Sequence, residues 1–138
     1  MKRKILVVDD EPDLVAYLRV FLEDRGFEVA VAADGREGME KALEEHPDLI
    51  TLDITMPAES GVRLLRDLQQ DPSTARIPVV IVTGVAHEFK RFIETRKQVR
   101  PPAAYFEKPV DREALLAEIE VLLAAAPGLA AEPSGGAR

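Results

Sequence analysis

The chain has 138 residues, 46% hydrophobic and 31% charged, with a net charge of −7 and no cysteine. That length favours a single domain around one core. The composition excludes disulfides, thiolate metal sites and cysteine nucleophiles, and the negative charge disfavours non-specific binding to DNA or to an anionic membrane.

The opening MKRKILVVDDEPD is basic, but its apolar stretch is too short for the core of a signal peptide. No apolar run reaches membrane-spanning length, and the absence of cysteine fits the cytoplasm, the location expected. ILVV (5–8) is apolar without alternation, as in a strand buried on both faces. Glu11-Pro12 suits a helix start; Leu14, Leu18, Phe21 and Leu22 form its apolar stripe, and Gly26 stops it. FEVAVAAD alternates and reads as an edge strand. GREGMEKALEEHP predicts a second helix with Met39, Ala42 and Leu43 inward, ended by Pro47.

DLITLD (48–53) is a third strand. Ser60 is positioned to cap a third helix carrying Val62, Leu65 and Leu68. The loop DPSTARIP leads to VVIVTG, the fourth strand. Residues 85–100 read as helical, and AAYFEKP (103–109) as a short fifth strand and turn. Asp111 caps a last helix with Leu115, Ile119, Leu122 and Leu123 on one face. From Pro127 onward small residues, Pro and Gly predict a flexible tail or severed linker. Strands alternating with helices imply right-handed crossovers and a parallel sheet covered by helices on both faces.

In such a sheet ligands bind beyond the carboxyl ends of the strands. Asp9 and Asp10 follow the first strand, Asp53 ends the third, Thr83 and Gly84 end the fourth, and Lys108 follows the fifth. All fall on one edge. Clustered carboxylates raise one another's pKa unless a cation joins them. An oxygen-only ligand set suits a hard divalent ion such as Mg²⁺, and a lysine supplies a point charge for phosphate. Together these groups suit phosphoryl transfer, in which a carboxylate can itself be the nucleophile. Taken singly, the same residues have plainer readings. Asp9-Asp10 suits a helix N-terminus, Thr83-Gly84 a strand-end turn, and Tyr105 an ordinary half-buried aromatic. His46 and His87 read as surface residues, and Met56-Pro57 as turn geometry.

VVDDEP, LDITMP followed by Gly61, VTG and YFEKPV, in that order, resemble the receiver domain of two-component response regulators, chemotaxis-regulator-like, over about residues 3–125. The resemblance implies a flavodoxin-like α/β fold, doubly wound, with strand order 2-1-3-4-5. It divides the chain into a receiver at 1–125 and a tail or truncated linker at 126–138. It implies a switch rather than an enzyme: Asp53 accepts a phosphoryl group from a histidine kinase or phosphotransfer protein. It further implies that Asp9, Asp10, Asp53 and the backbone carbonyl of Thr55 hold Mg²⁺, and that Lys108 pairs with the phosphoryl group. Thr83 moves toward that group, Tyr105 turns inward, and the Lys108-Pro109 bond is cis.

Two features depart from the family pattern. VRPPAAYF stands where a Gly-Ala turn is usual, and Pro101-Pro102 stiffens that connection. Lys90, Arg91, Arg96, Lys97 and Arg100 make 85–102 basic, either as a solvated helix face or as a surface for a downstream protein partner, with Phe89, Phe92 and Ile93 partly available. Thr55 and Val85 occupy the positions that influence water attack in receivers; valine cannot hydrogen-bond a hydrolytic water, so slow self-dephosphorylation is expected. Two rivals remain, a receiver-fold interaction module working without phosphorylation and an aspartyl-phosphate phosphohydrolase. The latter wants an aspartate at position 55, where the chain has threonine. A dinucleotide site wants glycines after the first strand, where the chain has DDEPD. No direct nucleic-acid binding is expected, and output is expected through protein contacts, from a stand-alone regulator or from a fragment cut at a linker.

Overall fold

In the computed structural model, residues 2–54, 60–94 and 99–125 are described, the Ser60 side chain excepted. Five strands alternate with five helices: β1 (Lys4–Val8), α1 (Pro12–Asp24), β2 (Glu28–Ala32), α2 (Gly35–Glu45), β3 (Leu49–Leu52), α3 (Ser60–Gln70), β4 (Val79–Thr83), α4 (Ala86–Glu94), β5 (Ala104–Glu107) and α5 (Arg112–Ala125). All strand pairs are parallel, in the order β2-β1-β3-β4-β5. The expected doubly wound α/β architecture is therefore present, and β2 is the edge strand its alternation predicts.

The unbroken apolar runs have a direct cause, because side chains alternate across the pleat. Leu6, Val8, Ile50, Leu52, Val79 and Ile81 point to one face, where Ala42 of α2, Leu64, Leu65 and Leu68 of α3, and Phe89 and Ile93 of α4 cover them. Ile5, Val7, Leu49, Val80 and Val82 point to the other, under Leu18, Phe21 and Leu22 of α1 and Leu115, Ile119 and Leu123 of α5. Each central strand is thus buried on both sides, and no charged residue stands within β3 or β4, where Thr51 is the one polar side chain before the strand ends.

The local stop and start signals act as their chemistry dictates. Gly26 takes φ +95 at the end of α1, a left-handed conformation that glycine adopts without a Cβ penalty. Asp111 caps α5, its Oδ1 accepting from the N–H groups of Glu113 and Ala114 at 3.0 and 3.1 Å. Three expectations are corrected. Leu43 is 41% exposed; α2 needs only a narrow stripe, which Ala42 and Met39 supply. The described part of α4 spans Ala86–Glu94, and residues 99–100 are not helical, so the helix does not run to residue 100. Phe89 and Ile93 are core residues at 3% and 1% exposure, leaving Phe92 as the exposed aromatic of α4. Their spacing of four turns both onto the sheet. The expectations about Thr55, Met56-Pro57, Arg96, Lys97 and the tail from 126 onward lie outside the described residues.

The stiff VRPP connection is pinned to α3. The Gln69 amide donates to the Arg100 carbonyl and its oxygen accepts from the Arg100 N–H, each at 2.8 Å. At the other end of α3 a glycine is needed sterically: a Cβ on Gly61 would stand 2.4 Å from the Ile54 Cα and 3.0 Å from the Asp53 carbonyl oxygen. A Cβ on Gly84 would meet nothing within 4 Å. Gly61→Ala is therefore expected to destabilise by about 1–3 kcal/mol through overpacking, and Gly84→Ala by no more than about 0.5 kcal/mol, as read by urea unfolding of both variants.

Candidate functional site

The sheet reverses its winding between β1 and β3, since β2 lies to one side of β1 and β3, β4 and β5 to the other. A crevice outside the carboxyl ends forms at such a point. Three polar residues sit one position beyond their strands, each with its backbone N–H held by the last carbonyl of the neighbouring strand. Asp9 donates to Ala32, Asp53 to Val8, and Lys108 to Thr83, each at 3.0 Å. The ladder thus extends one residue past the apolar core, which answers why an apolar strand runs into Asp53. Its carboxylate leaves the core but stays within the sheet's edge.

The side chains converge. Asp9 and Asp53 are only 4% and 2% exposed. The Lys108 ammonium lies 3.0 Å from Asp9 Oδ2 and 3.0 Å from Asp53 Oδ2. It also bonds the Glu11 carboxylate. The other oxygen of Asp9 accepts from the Glu11 N–H at 2.9 Å. Asp10 is exposed, yet one oxygen each from Asp9, Asp10 and Asp53 fall within 4.8 Å of one another. Lys108-Pro109 is cis.

The electrostatics follow from this crowding. Burial raises the Asp9 carboxyl above its ordinary value and the Asp53 charge adds to the rise, against the Glu11 N–H and Lys108, which pull it down. Burial alone would lower the Lys108 ammonium, but bonds to Glu11, Asp53 and Asp9 outweigh it and hold the lysine firmly protonated. Carboxylates outnumber cations at the centre of the cluster. An oxygen-only donor set with surplus negative charge is what a hard divalent cation requires, so the residues present fit Mg²⁺.

Thr83 ends β4 and is fully buried. By the strand's alternation it shares the face of Ile81, the side covered by α4. Among the described residues its hydroxyl has no hydrogen-bond partner. Tyr105 is half-buried on the same face, its ring edge-on to Phe89 at 6.3 Å between centroids, with the Lys90 ammonium 5.8 Å from its ring centre. Burial raises the Tyr105 phenol, and Glu94 adds to it. The residues singled out in the sequence are therefore brought together in two groups: Asp9, Asp10, Asp53 and Lys108 in the crevice, and Thr83 and Tyr105 behind it toward α4. The Thr55 carbonyl lies outside the described residues. His46 and His87 are exposed. Glu11, a helix start by its sequence position, also joins the crevice cluster; an acid one position after Asp10 is the sequence signal for it.

An unpartnered hydroxyl inside the fold is costly by about 1–3 kcal/mol. Thr83→Val keeps the shape and removes that hydroxyl, so its thermal midpoint is expected to equal or exceed that of the parent. A clear fall would show that the hydroxyl is satisfied in solution.

Comparison with known proteins points the same way. A family model for the response regulator receiver domain matches residues 5–120. PilH of Pseudomonas aeruginosa is 39% identical over 121 residues, covering 88% of this chain and 98% of PilH. The phosphate regulon transcriptional regulatory protein PhoB of Rhizobium meliloti is 37% identical over 89% of this chain, which spans 53% of PhoB. Among solved structures, a receiver domain protein (CheY-like) from Methanospirillum hungatei superposes with a TM-score of 0.81 at 28% identity, covering 92% of this chain and 98% of that one. The chemotaxis response regulator CheY4 of Vibrio cholerae gives 0.77 at 27% identity, covering 89% and 100%.

Proposed function

The chain belongs to the response regulator receiver family of two-component systems, and from that premise we propose that it is a phosphorylation-activated switch with Asp53 as the phosphoacceptor. The observation that carries this reading is the Lys108 ammonium 3.0 Å from both Asp9 and Asp53, beside a three-aspartate cluster with oxygens within 4.8 Å. Receivers work with histidine kinases upstream and effectors downstream. Here a kinase or phosphotransfer protein supplies the phosphoryl group. The receiver unit takes residues 1–125.

In the transfer, an Asp53 carboxylate oxygen attacks phosphorus, and the bond from phosphorus to the donor's leaving group breaks with its electron pair. The product is an acyl phosphate on Asp53. Asp9, Asp10, Asp53 and the Thr55 carbonyl would hold Mg²⁺, which when bound would supply positive charge to offset that of the phosphoryl oxygens. Lys108 donates to a phosphoryl oxygen. Thr83 then has a partner for its hydroxyl, and its movement makes room for Tyr105 to turn inward. Output runs through protein contacts at 85–102, where Phe92 is exposed beside the cations Lys90 and Arg91. Among the described residues no helix is long and apolar enough to cross a membrane, and the domain is expected to work in the cytoplasm without binding nucleic acid. It changes only its own phosphorylation state. A hydrolase acting on separate substrates would want an acid at position 55, where Thr55 stands.

Incubation with acetyl phosphate and Mg²⁺ is expected to add one phosphoryl group by intact mass, abolished by Asp53→Asn and by chelation of Mg²⁺. Because Val85 offers no hydrogen bond to a hydrolytic water, the phosphorylated form is expected to last minutes or longer once donor is removed. No mass gain in the parent contradicts the phosphoacceptor reading, and decay within seconds contradicts the role given to Val85.

A further inference from the structure

An ammonium has three N–H donors and no more. Those of Lys108 face three carboxylates, of Asp9, Asp53 and Glu11. The lysine that must greet an incoming phosphoryl oxygen is therefore fully engaged before any donor arrives, and one partner has to let go. The three differ in what release would cost. Asp9 and Asp53 are 4% and 2% exposed, and a carboxylate stripped of its cation in such a place is expensive. Glu11 has a side chain 57% exposed, so its carboxylate passes into water at little cost.

Glu11 pairs its side chain with Lys108 alone among the described residues. It stands at the N-cap of α1, yet its side chain makes no capping hydrogen bond. Its backbone N–H is already committed to Asp9 Oδ1 at 2.9 Å. Its side chain instead crosses to the end of β5, a partner far away in sequence.

We propose that Glu11 is a positioning residue that parks Lys108: it occupies the lysine donor that the phosphoryl group needs and must be displaced for Asp53 to be phosphorylated. Glu11 thus restrains phosphorylation, and its removal speeds it. This rests on the reading of Asp53 as phosphoacceptor.

The test compares the parent with Glu11→Gln and Asp13→Asn. Asp13 is an exposed acid in the first turn of the same helix, so its removal changes net charge equally without touching Lys108. The rate of phosphorylation by acetyl phosphate and the affinity for beryllofluoride, both at saturating Mg²⁺, are measured alongside the thermal midpoint. Glu11→Gln is expected to raise the rate and the affinity about two- to fivefold, the range an exposed ion pair is worth, while Asp13→Asn leaves both near the parent. Equal effects of the two variants would reduce Glu11 to general charge repulsion and overturn the proposal. An unchanged or slower Glu11→Gln with a phosphorylated parent overturns it too. A parent that takes up no phosphoryl group and no beryllofluoride overturns the phosphoacceptor reading and this proposal with it.

Discussion

One ammonium holds the working edge of this protein together. Asp9 and Asp53 are nearly sealed from solvent where β1 and β3 end, and a lone charge in such a place is costly. Lys108, delivered from the end of β5, stands 3.0 Å from both. The backbone makes that meeting possible, because each of the three residues has its N–H tied to the last carbonyl of an adjacent strand. The sheet ladder itself therefore sets where the backbone of each of these three residues stands.

The same ladder divides the protein into two faces with different tasks. Side chains under α1 and α5 form one apolar cluster and those under α2, α3 and α4 the other. Thr83 and Tyr105 both belong to the second face. Tyr105 meets Phe89 of α4 there, ring to ring at 6.3 Å between centroids. Helix α3 frames this side, with Gly61 pressed against the end of β3 and Gln69 bound to the backbone of Arg100.

Much of this was legible in the sequence, for physical reasons. Apolar runs such as ILVV and VVIVT report strands buried twice over, and the parallel alternation that follows from them puts every strand's end on one edge. Asp9, Asp10, Asp53, Thr83 and Lys108 could then be gathered without knowing any side-chain position. What escaped depended on rotation and reach. Leu43 reads as core by residue type, but the face of α2 is narrow enough to leave it in water. Phe89 and Ile93 sit in a basic stretch whose charges suggest a solvated helix, yet both turn onto the sheet. Glu11 looked like the start of α1, because nothing in local sequence tells that its side chain crosses to Lys108 rather than capping its own helix. The clamp between Gln69 and Arg100 joins residues whose only common feature is proximity in the folded chain.

The central claim is that Lys108 and the two buried carboxylates form one coupled unit, and a double-mutant cycle tests it directly. Urea unfolding without divalent ions would be measured for the parent, Lys108→Met, Asp53→Asn and the double variant. The account predicts that Lys108→Met is strongly destabilising, that Asp53→Asn in its presence restores much of the loss, and that the coupling reaches about 1–3 kcal/mol. Additivity within about 0.5 kcal/mol would mean that the ammonium and the carboxylate do not depend on one another, and would contradict it.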